Sequence, residues 1–162
     1  MKLHFVRHAT PSDTAGSDFA RTLTPFGEEE ARVVGVALLK LGVRPDHILT
    51  SPLVRARQTA EIIARALVFG GEIEPIDELK NGPSTQSLLR LLNSYAEARE
   101  IILVGHMPSL AEHIAAMTGS GSAKEYPLGK GSVACIETEK PAIGGWRLLS
   151  LLHQSDLRRP AV

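Results

Sequence analysis

The sequence predicts a single-domain three-layer α/β/α sandwich around a mostly parallel sheet. Short runs of β-forming apolar residues alternate along the chain with longer segments whose apolar residues recur at helical spacing. Residues 101–104, Ile-Ile-Leu-Val, form a continuous apolar run that is typical of a strand buried on both faces, as in parallel sheets. The chain has 162 residues, of which 43% are hydrophobic and 22% charged, and this matches one ordinary soluble domain, 1–162.

Six segments are predicted to be strands because β-branched or other apolar residues dominate them and loop residues bound them. In chain order they cover residues 2–6, 47–50, 73–76, 100–104, 132–138 and 146–153. Pro75 places the third of them at a sheet edge, because proline cannot donate a hydrogen bond to a neighbouring strand.

Four helices are predicted between these strands, at about residues 25–41, 53–67, 85–95 and 108–117. Thr24 is a predicted N-cap followed by a proline at the first helical position, and Gly42 ends that helix. Glu28, Glu29 and Glu30 are expected in its first turn, where the helix dipole favours acidic side chains. Ser84 is a predicted cap of the third helix.

Composition excludes several classes of function. Lysine and arginine together number 18, as do aspartate and glutamate, so no net charge favours nucleic acid or an anionic membrane as a partner. No apolar run reaches the length of a membrane span, and no leader-like segment is evident. Cys135 is the one cysteine, which excludes an internal disulfide and fits a reducing compartment. We therefore expect a cytoplasmic protein.

Other phosphate-handling motifs fail on inspection. A Walker P-loop around Gly129 and Lys130 would need glycine where Lys124 stands and a hydroxyl residue where Gly131 stands. A cysteine phosphatase would need an arginine six residues after Cys135, where the chain has proline. No Gly-x-Gly-x-x-Gly follows a predicted strand, so a dinucleotide site has no support.

Basic residues follow the predicted strands at the points where these strands end. Arg7 and His8 follow the first strand, Arg55 begins the helix after the second, and His106 follows the buried 100–104 strand. Because the carboxyl ends of parallel strands meet in one crevice, these four side chains should converge. Arginine forks suit the oxygens of a phosphoryl group, so the cluster predicts a phosphate site.

These segments together resemble the histidine phosphatase superfamily, also called phosphoglycerate mutase-like, over about residues 2–109. The motifs that carry the resemblance are Arg7-His8, Ser51-Pro52-x-x-Arg55-Ala56-x-Gln58-Thr59 and Gly105-His106, in that order. Two further stretches resemble the compact SixA-type phosphohistidine phosphatases, namely Arg21-x-Leu23-Thr24-x-x-Gly27 and the stretch from Glu78-Leu79 to Gly82. The chain departs from the family pattern at Ala9, where the family usually has glycine, whose backbone is freer to adopt positive φ.

The resemblance implies a catalytic role for each matching residue. His8 would be the nucleophile that forms a phosphohistidine intermediate, and Arg7, Arg55 and His106 would bind the phosphoryl group. Arg21 would complete the phosphate pocket, with the Thr10 hydroxyl as a further donor. Glu78 stands where larger family members often place their general acid, although it is equally well explained as a solvated loop carboxylate.

The expected activity is that of a metal-independent phosphatase that needs no cofactor. Only 50 residues lie between Arg55 and His106, so the walls that enclose small substrates in larger relatives have little room here. A shallow site would accept a phosphohistidine on a protein such as a phosphotransfer domain. The alternatives are a promiscuous phosphatase of small phosphate esters and a catalytically silent phosphate-binding regulatory module.

Overall fold

A computed structural model describes residues 1–14 and 16–159. Its strands are β1 (Lys2–Arg7), β2 (His47–Thr50), β3 (Ile73–Pro75), β4 (Glu100–Gly105), β5 (Val133–Glu137) and β6 (Arg147–Leu152). Its α-helices are α1 (Pro25–Lys40), α2 (Val54–Leu67), α3 (Thr85–Leu92), α4 (Ser109–Thr118) and α5 (Gln154–Leu157). Short 3-10 helices cover Asp77–Leu79, Asn93–Tyr95 and Ala123–Glu125.

The strands form one six-stranded sheet in the order β3-β2-β4-β1-β5-β6. The first four strands in this order are parallel, while β5 runs antiparallel to both of its neighbours. The prediction of a mostly parallel sheet is confirmed, and the short β3 with its proline lies at an edge as expected. Because β2, β4 and β1 are neighbours, the loops that follow them open onto the same end of the sheet.

Helices cover both faces of the sheet, which confirms the three-layer α/β/α arrangement. Phe5 and Leu103 point to the face covered by α3 and α4, and they belong to a core that these helices complete. Val6 and Val104 point to the opposite face, where α1 and α2 pack on them. This alternation along β1 and β4 follows from the two-residue period of a strand.

Helix α1 begins and ends close to the predicted positions. The Thr24 hydroxyl accepts a hydrogen bond from the Gly27 backbone N–H at 3.0 Å and so caps the helix. The expectation of three glutamates in the first turn is wrong, since only Glu28 lies there. Glu30 lies two residues further into the helix and is buried, with 5% of its surface exposed.

Other differences concern short elements whose sequence signal is weak. The third helix ends at Leu92, and Tyr95 lies in the 3-10 turn that follows it. The C-terminal helix α5 was not predicted, because four residues are too few to show a helical period. Within the described residues, no helix is both long and apolar enough to cross a membrane.

A close contact joins the start of α1 to the loop after β1. A Cβ built on Gly27 would lie 2.1 Å from the Thr10 carbonyl oxygen, well inside contact distance. The same carbonyl accepts a hydrogen bond from the Thr24 N–H at 3.0 Å. Glycine at this position therefore lets the helix approach the loop that follows His8.

Gly27→Ala is expected to lower the free energy of unfolding by about 1–3 kcal/mol, because the added methyl group forces backbone atoms apart. Urea unfolding of the two proteins measures the difference. Gly70→Ala is the matched control, since a Cβ there meets nothing within 4 Å. Equal losses in the two variants would contradict the packing argument.

Candidate active site

Four predicted residues meet at the carboxyl ends of β1, β2 and β4. His8 follows β1, His106 follows β4, and their rings lie 5.0 Å apart between centroids. The Arg55 Nε, in the first turn of α2, lies 3.4 Å from the His8 Nε2. His8, Arg55 and His106 are each less than 8% exposed. The structure thus brings together the residues that the strand ends predicted to converge.

The imidazole of His8 is held in one tautomer. Its Nδ1 lies 2.8 Å from the Ala9 carbonyl oxygen, and because a carbonyl only accepts, the proton is on Nδ1. Nε2 therefore keeps its lone pair. Burial lowers the pKa of His8 to about 3, and the positive charges of Arg55 and Arg7 act in the same direction. The ring is neutral at physiological pH, as a nucleophile must be.

His106 faces the same space as a second neutral ring. Its Nε2 lies 2.8 Å from the hydroxyl oxygen of Ser51, which is fully buried. Burial and, as the next largest cause, the nearby Arg55 guanidinium lower the pKa of His106 to about 4. Ser51 begins the motif that contains Arg55, so one segment orients His106 and supplies the arginine.

The two arginines are anchored by groups that leave part of each guanidinium free. Arg7 Nη1 donates to the Leu128 carbonyl at 2.9 Å, whereas its buried Nε has no hydrogen-bond partner among the described residues. Arg55 donates from Nη1 to the Asp18 carbonyl at 2.8 Å and from Nη2 to the Asp18 carboxylate at 3.2 Å. A buried donor without a partner is costly, and a phosphoryl oxygen would satisfy it.

The remaining motif residues support the backbone around His8. The Thr59 hydroxyl donates to the Arg55 carbonyl at 2.7 Å and accepts from the Ala9 N–H at 3.1 Å. The Gln58 side-chain carbonyl accepts from the Leu23 N–H at 2.7 Å. Ala9 is fully buried and does not adopt a positive φ, so the loop is built without the glycine that is usual in the family.

The sequence analysis missed Glu30, a buried carboxylate that organises the loop after β1. Its Oε2 accepts from the Thr10 N–H at 2.8 Å, and its negative charge acts on Arg7. A signal for this role is present in the sequence, because Glu30 precedes Val34 and Leu38 by one and two helical turns. A glutamate on the apolar face of a helix is seldom left unpaired.

The last helix reinforces this arrangement from the other side. The Gln154 side-chain amide donates to the Glu30 carbonyl at 3.0 Å and to the Gly131 carbonyl at 2.7 Å. The Gly131 N–H in turn lies 3.2 Å from the Arg7 carbonyl and 3.3 Å from the His8 carbonyl. The backbone that carries the two central residues is thus fixed by α1, α5 and the loop before β5.

Three further predicted residues occupy less central positions. Arg21 donates to the Ser12 carbonyl at 2.9 Å and to the Asp13 and Asp18 carboxylates at 3.1 and 3.4 Å, so it reaches Arg55 only through Asp18. Thr10 contributes its backbone, through the contacts with Glu30 and Thr24. The Glu78 carboxylate lies 3.5 Å from the Ser87 hydroxyl of α3. Among the described residues, no hydrogen bond joins Glu78 to His8.

The comparisons with known proteins agree with this geometry. The pattern of the histidine phosphatase superfamily (branch 1) matches residues 3–82. A solved structure from Agrobacterium tumefaciens, a proposed phosphohistidine phosphatase SixA, is 30% identical with a TM-score of 0.78, covering 93% of this chain and 96% of that one. The chain belongs to the histidine phosphatase superfamily. The superfamily assignment made from the motifs is thereby confirmed.

Further relatives of this superfamily member share the fold or part of the sequence. The structure of the protein histidine phosphatase SixA complexed with tungstate has a TM-score of 0.89 at 21% identity, covering 98% of this chain and 100% of that one. An uncharacterised protein of Picosynechococcus is 38% identical over 120 residues, 69% of this chain and 70% of its own length. The mitochondrial serine/threonine-protein phosphatase PGAM5 of Xenopus tropicalis is 38% identical over 65 residues, 40% of this chain and only 23% of its own length.

Burial of neutral imidazoles links the stability of the fold to pH. The folded-state pKa values of His8 and His106, about 3 and about 4, lie below the ordinary value of 6.5. Between these values the unfolded chain binds protons that the folded chain excludes. The free energy of unfolding therefore falls as the pH drops below 6.5, and these two groups contribute no pH dependence well above it.

Urea unfolding at pH 7, 6 and 5 is expected to show this loss, at most about 1.4 kcal/mol per pH unit for each histidine. His8→Asn and His106→Asn should each flatten the pH dependence. His47→Asn is the control, because the His47 side chain is 38% exposed and lies at the other end of the sheet. The argument fails if the slope is the same in the wild type and in both site variants.

Proposed function

We propose that this protein is a phosphatase that uses His8 as its nucleophile and forms a phosphohistidine intermediate. The observation that carries the proposal is the neutral His8, whose unprotonated Nε2 carries the lone pair that can attack and lies 3.4 Å from the Arg55 Nε. Arg7, next to His8 in the chain, has a buried Nε without a partner among the described residues and so offers a further donor. Phosphatase activity among relatives such as the SixA proteins supports the same reaction class.

The proposed reaction has two in-line displacements at phosphorus. In the first, the His8 Nε2 lone pair forms the new N–P bond while the bond to the leaving group breaks. Nδ1 keeps its proton against the Ala9 carbonyl, so the phosphorylated ring is cationic. In the second, water attacks phosphorus and the bonding electrons return to Nε2. Arg7 and Arg55 offset charge on the phosphoryl oxygens in both steps.

We propose phosphohistidine on a protein, such as a phosphotransfer domain, as the substrate class. The relatives that share almost the whole chain include two SixA structures, described as protein histidine phosphatase and proposed phosphohistidine phosphatase. The chain is compact, and no inserted domain divides the described residues. Small phosphate esters are the second candidate, because a site open to a protein surface also admits small molecules. We propose a cytoplasmic location and a reaction that needs no metal or cofactor.

The choice of substrate also bears on the general acid. A phosphorylated imidazole that is protonated on its second nitrogen leaves as a neutral ring and needs no proton from the enzyme. An alkoxide leaving group does need one. Glu78 is proposed for that role only with ester substrates, since its side chain is held near Ser87 of α3. If phosphohistidine is the substrate, the reaction does not depend on the position of Glu78.

Phosphoryl transfer to His8 can be followed by mass spectrometry after rapid quenching without acid. Mixing wild-type protein with a phosphorylated histidine phosphotransfer domain is expected to release the phosphate and to label His8 transiently. His8→Ala should lose both, whereas the matched variant His47→Ala should keep both. Labelling of His8 by a small aryl phosphate alone would leave the mechanism and refute the protein substrate. Absence of label from either donor would instead favour the silent binding module.

Arg55→Ala is expected to lower kcat by on the order of 10²–10³, because the variant loses a charged donor to the transition state. Steady-state hydrolysis of a small aryl phosphate measures the change. Arg57→Ala is the control, since Arg57 lies two residues along the same helix and is exposed to solvent. An effect below tenfold at Arg55, or an equal effect at Arg57, would remove Arg55 from the proposed phosphate pocket.

A further inference from the structure

Asp18 is the one described carboxylate that makes an ion pair with Arg55 of the proposed phosphate pocket. It holds Arg55 twice, through its backbone carbonyl at 2.8 Å and through Oδ2 at 3.2 Å. Its other oxygen lies 3.4 Å from Arg21, which Asp13 and Ser12 also bind. A loop residue with three such contacts occupies a defined place beside the site.

The Asp18 carboxylate also faces solvent beside the site. Its side chain is 65% exposed although it bonds to the nearly buried Arg55. Arg55 turns its Nε toward the His8 Nε2 and its terminal nitrogens toward Asp18. A substrate that delivers phosphorus to the His8 Nε2 carries its leaving group on the side away from this nitrogen. A leaving group that extends from there along the Arg55 guanidinium reaches the Asp18 carboxylate.

The negative charge of Asp18 extends into the site itself. It opposes the lowering of the His106 pKa, which shows that its field reaches the second imidazole. Partial desolvation raises the pKa of Asp18, but the hydrogen bonds and charges of Arg55 and Arg21 together outweigh it and keep the pKa below its ordinary value. The group is consequently an anion at neutral pH and cannot serve as a general acid there.

We propose that Asp18 selects for substrates whose leaving group is a cationic ring before it departs, and so favours a protonated phosphoimidazole over phosphate esters. This inference rests on the proposed function and specifies the leaving group of the same reaction. A carboxylate beside the site attracts the imidazolium ring of the bound substrate and repels a leaving group that departs as an anion. The residue thus acts on the departing part of the substrate, while Arg7 and Arg55 act on the part that is transferred.

The charges balance for such a substrate without an added acid. The His8 Nε2 lone pair forms the bond to phosphorus, and the electrons of the broken N–P bond return to the substrate ring. That ring already carries its proton on the other nitrogen and leaves as neutral imidazole, while the positive charge passes to His8. With an ester, the same electrons leave on an oxygen as an anion, next to the carboxylate of Asp18.

The test compares kcat/KM for phosphoimidazole and for p-nitrophenyl phosphate in wild-type protein and in Asp18→Asn. The amide keeps the size of the side chain and can still accept from Arg55. We expect kcat/KM for phosphoimidazole to fall about tenfold or more and that for the ester to fall less than threefold or to rise. Asp18→Glu should restore the preference for phosphoimidazole at least in part, because it restores the charge.

Asp13→Asn is the matched control. It removes one negative charge from the same loop and loosens the same Arg21, but the Asp13 carboxylate does not contact Arg55. An equal loss for both substrates in Asp18→Asn would show that Asp18 only positions Arg55 and would overturn the proposal. An unchanged ratio, or the same shift in Asp13→Asn, would also overturn it. In these cases wild-type hydrolysis of phosphoimidazole that depends on His8 would leave the proposed function standing.

Discussion

The placement of two buried, neutral imidazoles beside the charges of Arg55 and Arg7 is the interaction on which the rest of this site depends. His8, His106 and Arg55 are almost inaccessible to solvent. The free-energy cost of removing charged groups from water therefore falls on this site and not on surface residues. Burial together with adjacent positive charge favours the uncharged form of both rings. The same two factors that make the site costly to fold thus keep the proposed nucleophile unprotonated.

The topology of the sheet explains how these groups come to be neighbours. β1 lies between β4 and β5, and β4 lies between β2 and β1. Side chains that follow β1, β2 and β4 therefore converge, although 98 positions separate His8 from His106. The reversal of direction at β5 brings a different feature to the same end, namely the loop that contains Gly131. The Gly131 N–H bonds to the carbonyls of Arg7 and His8. The antiparallel part of the sheet therefore stabilises the loop that follows the parallel strand β1.

The sequence was sufficient to predict the fold class and the four converging side chains, because both follow from local patterns. The apolar run of β4, the cap at Thr24 and the polar residues at strand ends can each be recognised within a few positions. Asp18 could not be found in this way, since it lies in an irregular loop and its importance rests on a contact with Arg55, 37 positions further along the chain. Ser51 was quoted as part of a motif, yet its hydrogen bond to His106 depends on the alignment of β2 with β4.

Glu30 illustrates a different limit of sequence reasoning. Three consecutive glutamates near a helix start all fit the helix dipole, and this pattern does not show that each side chain has a different environment. In the structure one of them faces the core, because a helix turns by about 100° per residue and neighbours cannot share a face. The buried carboxylate is tolerated because it accepts a backbone hydrogen bond from Thr10 and lies in the field of Arg7.

Each of the two arginines has a carboxylate near it and still keeps a donor for a phosphoryl group. Glu30 acts on Arg7 and Asp18 binds Arg55, so each cation has an acidic neighbour. Arg7 Nε has no partner in the described residues, and Arg55 Nε faces His8. Neither carboxylate therefore binds the Nε of its arginine. The acidic groups reduce the mutual repulsion of the arginines without filling the space between them. The donors needed by a phosphoryl group are therefore held in place before it arrives, and little reorganisation remains for the reaction itself.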